Sequence, residues 1–318
     1  PMIVSILIPV HDDINGLRIT LESLSSLDKN SHEVEIIVCN DGGLPTISEL
    51  AIKFGCRLVE YTENRGSYAA RNLGLQVATG EVFAFVDADE KVDAEWLNVG
   101  LEALKNADYV GGTIKIQLPP KPTAWESYDH LAAFPVHYYL DRRHFAPTAN
   151  LFVRREVFQR IGSFEEALKS GGDCEFGVRV HKAGFKMLHC SGAVTYHPAR
   201  NFGEQVRKVC RVAQGATELE YLVWQRPASF ILRQASVSLL KAPLRALARI
   251  PGIARPPVSG GNGWKAHHHL MWGVVKVIYH WLRIRYMLQL LVERRVDSWT
   301  SGIKVLPDQS SGRHDRAS

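Results

Sequence analysis

Short apolar runs take turns with segments whose apolar residues recur three or four apart through the first two hundred residues of this chain. That alternation restricts the fold more than any other feature. Ile3 to Val10 reads as a strand, Leu17, Leu21, Leu24 and Leu27 mark a helix, and Val34 to Cys39 is a second strand. Ile47, Leu50, Ala51 and Phe54 are helical again, Cys56 to Tyr61 is a strand, Tyr68 to Ala78 a helix closed by Gly80, and Val82 to Val86 the next strand. Beyond them Ala94 to Asn106 reads as a helix and Tyr109 to Gln117 as a strand, before Pro119, Pro120 and Pro122 interrupt regular structure and an aromatic-rich stretch from Trp125 to Phe145 follows. Strands alternating with helices imply a mostly parallel sheet with right-handed crossovers, an α/β domain of the nucleotide-binding type.

In such sheets ligands collect beyond the carboxyl ends of the strands. The run Glu81 to Val86 leads straight into Asp87-Ala88-Asp89, so two carboxylates stand at such an end. A pair of acids there repels itself unless a divalent ion, or a ligand carrying one, relieves it. Aspartate is also common in solvated turns, and the triplet alone leaves both readings open.

Four features fall in order along the chain: Pro9-Val10-His11-Asp12 after the first strand, Cys39-Asn40-Asp41-Gly42-Gly43 after the second, Asn64 to Gly74 with Ala70-Arg71-Asn72, and then Asp87-Ala88-Asp89. The series resembles the family 2 glycosyltransferases over roughly residues 3 to 200. The resemblance implies a GT-A fold, a Rossmann-like mixed and mostly parallel sheet flanked by helices, and an inverting enzyme that uses a nucleotide sugar. By the same resemblance Pro9, Val10, His11 and Asp12 line the base, Asp41 accepts an imide N–H, and Arg71 lies between base and diphosphate. Asp87, with Ala88, reaches the ribose or donor sugar, and Asp89 binds Mn²⁺ or Mg²⁺, which neutralises the leaving diphosphate.

Asp173 matches the family's general base, in a segment where Gly172 replaces the usual Glu and Glu175 stands where Asp is common. It could also cap the helix that runs to Ala183, and the two roles are compatible, a base that also begins the helix being the favoured reading. His197, after the strand-like Ala193-Val194-Thr195-Tyr196, resembles a histidine that completes the metal or diphosphate site in some relatives. Transfer of one sugar to a saccharide or lipid-linked saccharide in cell-surface polysaccharide or glycoconjugate synthesis follows, with a UDP-sugar the favoured donor. The QxxRW segment of the processive synthases is not reproduced by Gln205-Val206-Arg207-Lys208 or Gln225-Arg226. Two other readings compete. Sugar-nucleotide nucleotidyltransferases open on a Gly-rich loop that Pro9 to Asp12 lacks, and a non-catalytic membrane-associated scaffold would have no use for the four aspartates.

The formal net charge is +5, but residues 1–204 are net acidic and 205–318 strongly basic. The first segment is expected to be the catalytic domain, 205–306 a basic helical region and 307–318 a disordered tail. Phe230 to Ile250 and Leu270 to Val292 are amphipathic stretches separated by the Pro- and Gly-rich Pro251 to Gly263. Neither offers eighteen uninterrupted apolar residues. They fit helices lying on an anionic membrane surface across 228–292, or packing on the catalytic domain or a second subunit as a homo-oligomer. Nucleic acid is not the expected partner, because the charges are spread through apolar helices rather than gathered in a polar tract. His267-His268-His269 reads as surface or interfacial polarity, since consecutive positions point around a helix. Five cysteines without zinc-ligand spacing read as reduced, mostly buried thiols, and no leader opens the chain, so a cytoplasmic or peripheral location is expected.

Overall fold

The structure, a computed structural model, describes residues 2–30, 32–132, 134–248 and 265–293. Four parallel strands, β1 (Ile3–Val10), β2 (Glu33–Asp41), β3 (Arg57–Tyr61) and β4 (Val82–Val86), lie in the order β3-β2-β1-β4. Side chains alternate across the pleat: Val4, Ile6, Ile8 and Val10 enter one core and Leu7 the other, as do Ala84 and Phe85 on β4. A strand buried on both faces therefore reads as an unbroken apolar run, which is why β1 and β4 fall where the sequence places them.

Beyond β4 the sheet continues β7-β6-β8-β5, with β5 (Lys91–Val92), β6 (Tyr109–Gln117), β7 (Asn150–Arg154) and β8 (Met187–Pro198). β7 runs antiparallel to both β4 and β6, making the sheet mixed but mostly parallel. One face is covered by α1 (Ile14–Ser25), α2 (Pro45–Lys53) and α4 (Trp96–Ala103), through Leu17, Leu21, Ile47, Trp96 and Leu101. The other face is covered by α3 (Ser67–Val77), α6 (Val136–Arg143), α7 (Arg155–Ile161) and α8 (Gly172–Lys182). The aromatic-rich stretch contributes α5 (Ala124–Ala132) as well as α6. The chain moves from β1 outward through β2 to β3, then crosses back by α3 to β4 on the other side of β1. The resulting switch point sets His11 and Asp87 at neighbouring strand ends, where such sheets form their crevice.

After β8 the chain becomes helical. α9 (Phe202–Glu218) opens on a capping box between Asn201 and Glu204, passes through a π turn at Leu219–Val223, and is followed by α10 (Ala228–Leu247) and α11 (Ala266–Glu293). α11 packs on α9 and α10 through Val209, Ala213, Ile231, Leu282, Met287 and Leu290. The buried Arg283 reaches Glu220 at 3.0 Å and Gln234 at 3.1 Å. Packing on protein thus accounts for one side of these helices. Among the described residues no helix is long and apolar enough to cross a membrane.

Of the triplet read as surface or interfacial polarity, His267 is exposed while His268 and His269 are buried, and the Lys265 amide donates to His268 Nδ1 at 3.0 Å. The five cysteines are free, with Cys39 and Cys174 buried and the other three half-buried rather than mostly buried. Burial pushes the Cys39 thiol up to about 12. The break Pro251 to Gly263 and the tail 307–318 lie outside the described residues.

Candidate active site

The Asp87-Ala88-Asp89 turn is held from below by α1. Thr20 Oγ1 donates to the Glu90 carbonyl at 2.7 Å, and the Ala88 methyl packs into the core. Ala88 therefore spaces the two aspartates and offers only its backbone to a ligand. Asp87 accepts from Arg71 Nη2 at 2.5 Å. Arg71 is buried, also donates to the Ser67 carbonyl at 3.2 Å, and among the described residues has no partner for its Nε.

Asp89 Oδ2 lies 3.3 Å from Nε2 of the buried His197. The Nδ1 of that ring sits 2.6 Å from the Pro198 carbonyl, which only accepts, so Nδ1 carries the proton and the Nε2 lone pair faces Asp89. Arg200 Nη2 donates to the same Nε2. Burial lowers the His197 pKa against the pull of Asp89, and burial, helped by the negative charge of Asp87, raises that of Asp89. The one lone pair of Nε2 is taken by the Arg200 N–H while Asp89 stands beside it, so a divalent ion on Asp89 would replace Arg200 at that nitrogen. These two side chains fit a divalent ion. Among the described residues no three His, Cys, Asp or Glu side chains close around a common point, so ligand oxygens or water would complete the shell.

Asp173 lies on the other side of α3. It does not cap α8: that place is taken by Gly171 at φ +86°, and Asp173 sits half-buried inside the first turn. Its Oδ1 accepts from the Cys174 amide at 2.9 Å and from the Tyr68 hydroxyl at 3.3 Å. Burial raises its pKa, while the Cys174 amide, Arg71, Tyr68 and Arg211 pull the other way. The departures at Gly172 and Glu175 now have physical reasons. A Cβ on Gly172 would lie 2.8 Å from the Tyr68 ring, so glycine leaves room for the tyrosine that holds Asp173. Glu175 takes Arg179 in a two-pronged pair at 2.6 and 2.8 Å, and Arg179 ties the loop through the carbonyls of Ile161 and Ser163. We expect Gly172→Ala to cost about 1–3 kcal/mol from overpacking, read as a lower denaturant midpoint at unchanged slope; an unaltered midpoint would refute the steric account.

Asn72 is buried on α3. Its side chain pairs with both the carbonyl and the amide of Phe164, at 2.8 and 3.1 Å, clamping the segment that leads to α8. Asp41 likewise turns inward. Both its oxygens accept backbone amides, Arg65 and Gly66 at 2.8 Å each, and so hold the loop before α3. A carboxylate retains lone pairs for a further N–H, so the expected base contact would be made by an acid already fixed in place. Pro9 is half-buried, Val10 belongs to the core, and His11 and Asp12 are exposed at the strand end, with His11 Nδ1 facing the Asp41 carbonyl at 2.8 Å.

Four participants escaped the sequence. Tyr68 faces Asp173, and Asp13, which caps α1 by accepting from the Gly16 amide at 2.8 Å, adds negative charge near Asp89. Glu90 is fully buried under the turn, where burial and the charges of Asp87 and Asp89 push its carboxyl well above the ordinary value and favour the neutral acid. Arg200 joins His197 to Asp129, which also meets Lys208 of α9 at 3.7 Å. Asp13 and Glu90 flank motifs already singled out, and their acidity was the available signal; Tyr68 and Arg200 carried none.

The family model for glycosyl transferase family 2 matches residues 5–162, which include Asp41, Arg71, Asp87 and Asp89 and stop short of Asp173. The chain is 32% identical over 224 residues to glycosyltransferase AglE of Haloferax volcanii, a match covering 68% of this chain and 73% of that protein. It is 25% identical over 213 residues to the pre-mycofactocin glycosyltransferase of Mycobacterium tuberculosis, covering 62% of this chain and 43% of that one. Among solved structures, the mannosyltransferase PcManGT from Pyrobaculum calidifontis, in complex with GDP-Man and Mn²⁺, superposes with a TM-score of 0.60 at 17% identity, covering 92% of this chain and 87% of that one, a likeness of fold.

Proposed function

The chain belongs to the family 2 glycosyltransferases, and from that premise we propose that it moves one sugar from a nucleoside diphosphate sugar to an acceptor hydroxyl with inversion at the anomeric carbon. One observation carries the reading: Tyr68 and Arg71, a single helical turn apart on α3, reach Asp173 in one direction and Asp87 in the other. Asp173 accepts the acceptor's proton as its oxygen attacks, and its raised pKa makes it a better base than an ordinary aspartate. Arg71, with an N–H unused among the described residues, steers the diphosphate and orients Asp87. Asp89 and His197 Nε2 are the groups that would hold a Mn²⁺ or Mg²⁺ ion. Such an ion supplies Lewis-acid stabilisation of the charge gathering on the departing diphosphate. The acceptor is a saccharide or lipid-linked saccharide, and UDP-sugars are the first donors to test, with GDP-mannose beside them.

Thermal denaturation against a panel of nucleotides and nucleotide sugars, with and without Mn²⁺, tests the donor half. At a hundredfold excess over Kd we expect one nucleotide class to raise Tm by roughly 5–10 °C, and only with the metal present. A panel in which nothing shifts the transition would remove the donor site.

A further inference from the structure

We propose that the outer face of α10, with that of α11, is a docking surface for an anionic lipid membrane. On α10 the side chains of Phe230, Val237, Leu240, Leu244 and Leu247 are exposed, Leu240 at 76% and Leu244 at 68%. At 3.6 residues per turn they fall within an arc of about 100°. Ile231, Ala235, Ala242 and Ala246 are buried on the opposite side of the helix. On α11, Leu270, Val274, Trp281 and Leu288 are exposed in the same manner, turned away from the buried Leu282, Met287 and Leu290. Each helix thus has two apolar stripes, and the packing described above uses one of them.

Charge decides what covers the second stripe. No aspartate or glutamate stands between Glu220 and Glu293, and Glu220 itself is engaged by Arg283. Arg233 lies within the exposed stripe of α10, Lys241 and Arg245 lie along one edge, and none of the three forms an ion pair among the described residues. Apolar side chains edged by cations of one sign match an anionic headgroup layer over acyl chains. A second copy of this chain would bring the same arginines and lysine against each other with no acid on that face to pair them. Nucleic acid would set phosphates against Leu240 and Leu244. With no helix suited to crossing a bilayer among the described residues, α10 would lie on the surface. The inference stands on surface chemistry and is independent of the donor and acceptor assigned above.

Flotation of the whole chain with vesicles tests it. The protein is expected to float with phosphatidylcholine vesicles containing phosphatidylglycerol, and far less with phosphatidylcholine alone or in high salt. A basic side chain at such a surface strengthens binding roughly fivefold, so the triple change Arg233→Gln, Lys241→Gln, Arg245→Gln should weaken it about a hundredfold. Leu240→Ser with Leu244→Ser should weaken it at least as much. Both variants should keep the wild-type melting temperature, because the replaced side chains are exposed. Failure of the wild type to float, equal flotation on neutral lipid, or a stable wild-type dimer that the leucine variant splits would each overturn the proposal.

Discussion

Asp173→Asn is expected to lower the transfer rate by about 10²- to 10⁴-fold, the usual loss when a general base is removed, while nucleotide and metal still shift the melting temperature as in the wild type. The amide keeps the shape of the carboxylate and can still meet the Tyr68 hydroxyl, but it cannot take a proton. Two pH signatures accompany the loss. In the wild type the acidic limb of kcat/KM should lie above the ordinary aspartate value of 3.8, because burial raises the pKa of Asp173 and only the ionised form works. Stability should move the other way. A carboxyl whose folded pKa exceeds its unfolded one favours the folded state below the unfolded pKa and loses that advantage as pH rises through the folded pKa. At neutral pH the ionised wild-type group therefore carries a penalty that asparagine lacks. The variant should melt higher at pH 7, and the difference should shrink as pH falls toward 3.8 and below. A variant that transfers sugar at the normal rate would end the assignment of Asp173.

Asp89→Ala should be at least as severe. Loss of several kcal/mol of charge stabilisation at the diphosphate corresponds to about three orders of magnitude in rate. The same change should abolish the additional Tm rise that Mn²⁺ gives to a bound nucleotide, a readout that needs no turnover. His197→Gln should weaken that metal-dependent rise less completely, since Asp89 remains. If Asp89→Ala retains a full metal response, the ion is held elsewhere and the Asp89–His197 pair serves only to fasten β8 to the turn.

The half of the fold built from continuous apolar strands was legible because burial on both faces leaves one kind of residue along each strand. β1 and β4 fall where the sequence puts them, β6 does so by a second half in which buried Ile114 and Ile116 alternate with exposed Lys115 and Gln117, and α3 begins one residue early, at Ser67. β7 was not legible: its five residues follow a proline-rich and aromatic region, and nothing in them announces that they run antiparallel between β4 and β6. The site divided in the same way. Asp87 and Asp89 announce themselves by standing at the end of an apolar run. Tyr68 does not, because its partner Asp173 is 105 residues away. The clamp of Asn72 on Phe164 is equally hidden, spanning 92 residues. A pattern along one segment reports which side chains share a face of it, and says nothing of which distant segment that face will meet.

The placement of Tyr68 and Arg71 on adjacent turns of one helix makes α3 a rigid spacer between Asp173, the proposed base, and Asp87, beside the proposed diphosphate site. Three residues of helix rise about 4.5 Å, and that distance is insensitive to loop motions around the crevice. An insertion within α3 would rotate one of the two side chains by about 100° relative to the other and uncouple proton removal from departure of the diphosphate. Elements that border the site from outside, such as α5, α6 and α9, are free of that constraint. The chain could therefore exchange one acceptor for another by altering them while its chemical step stays in register.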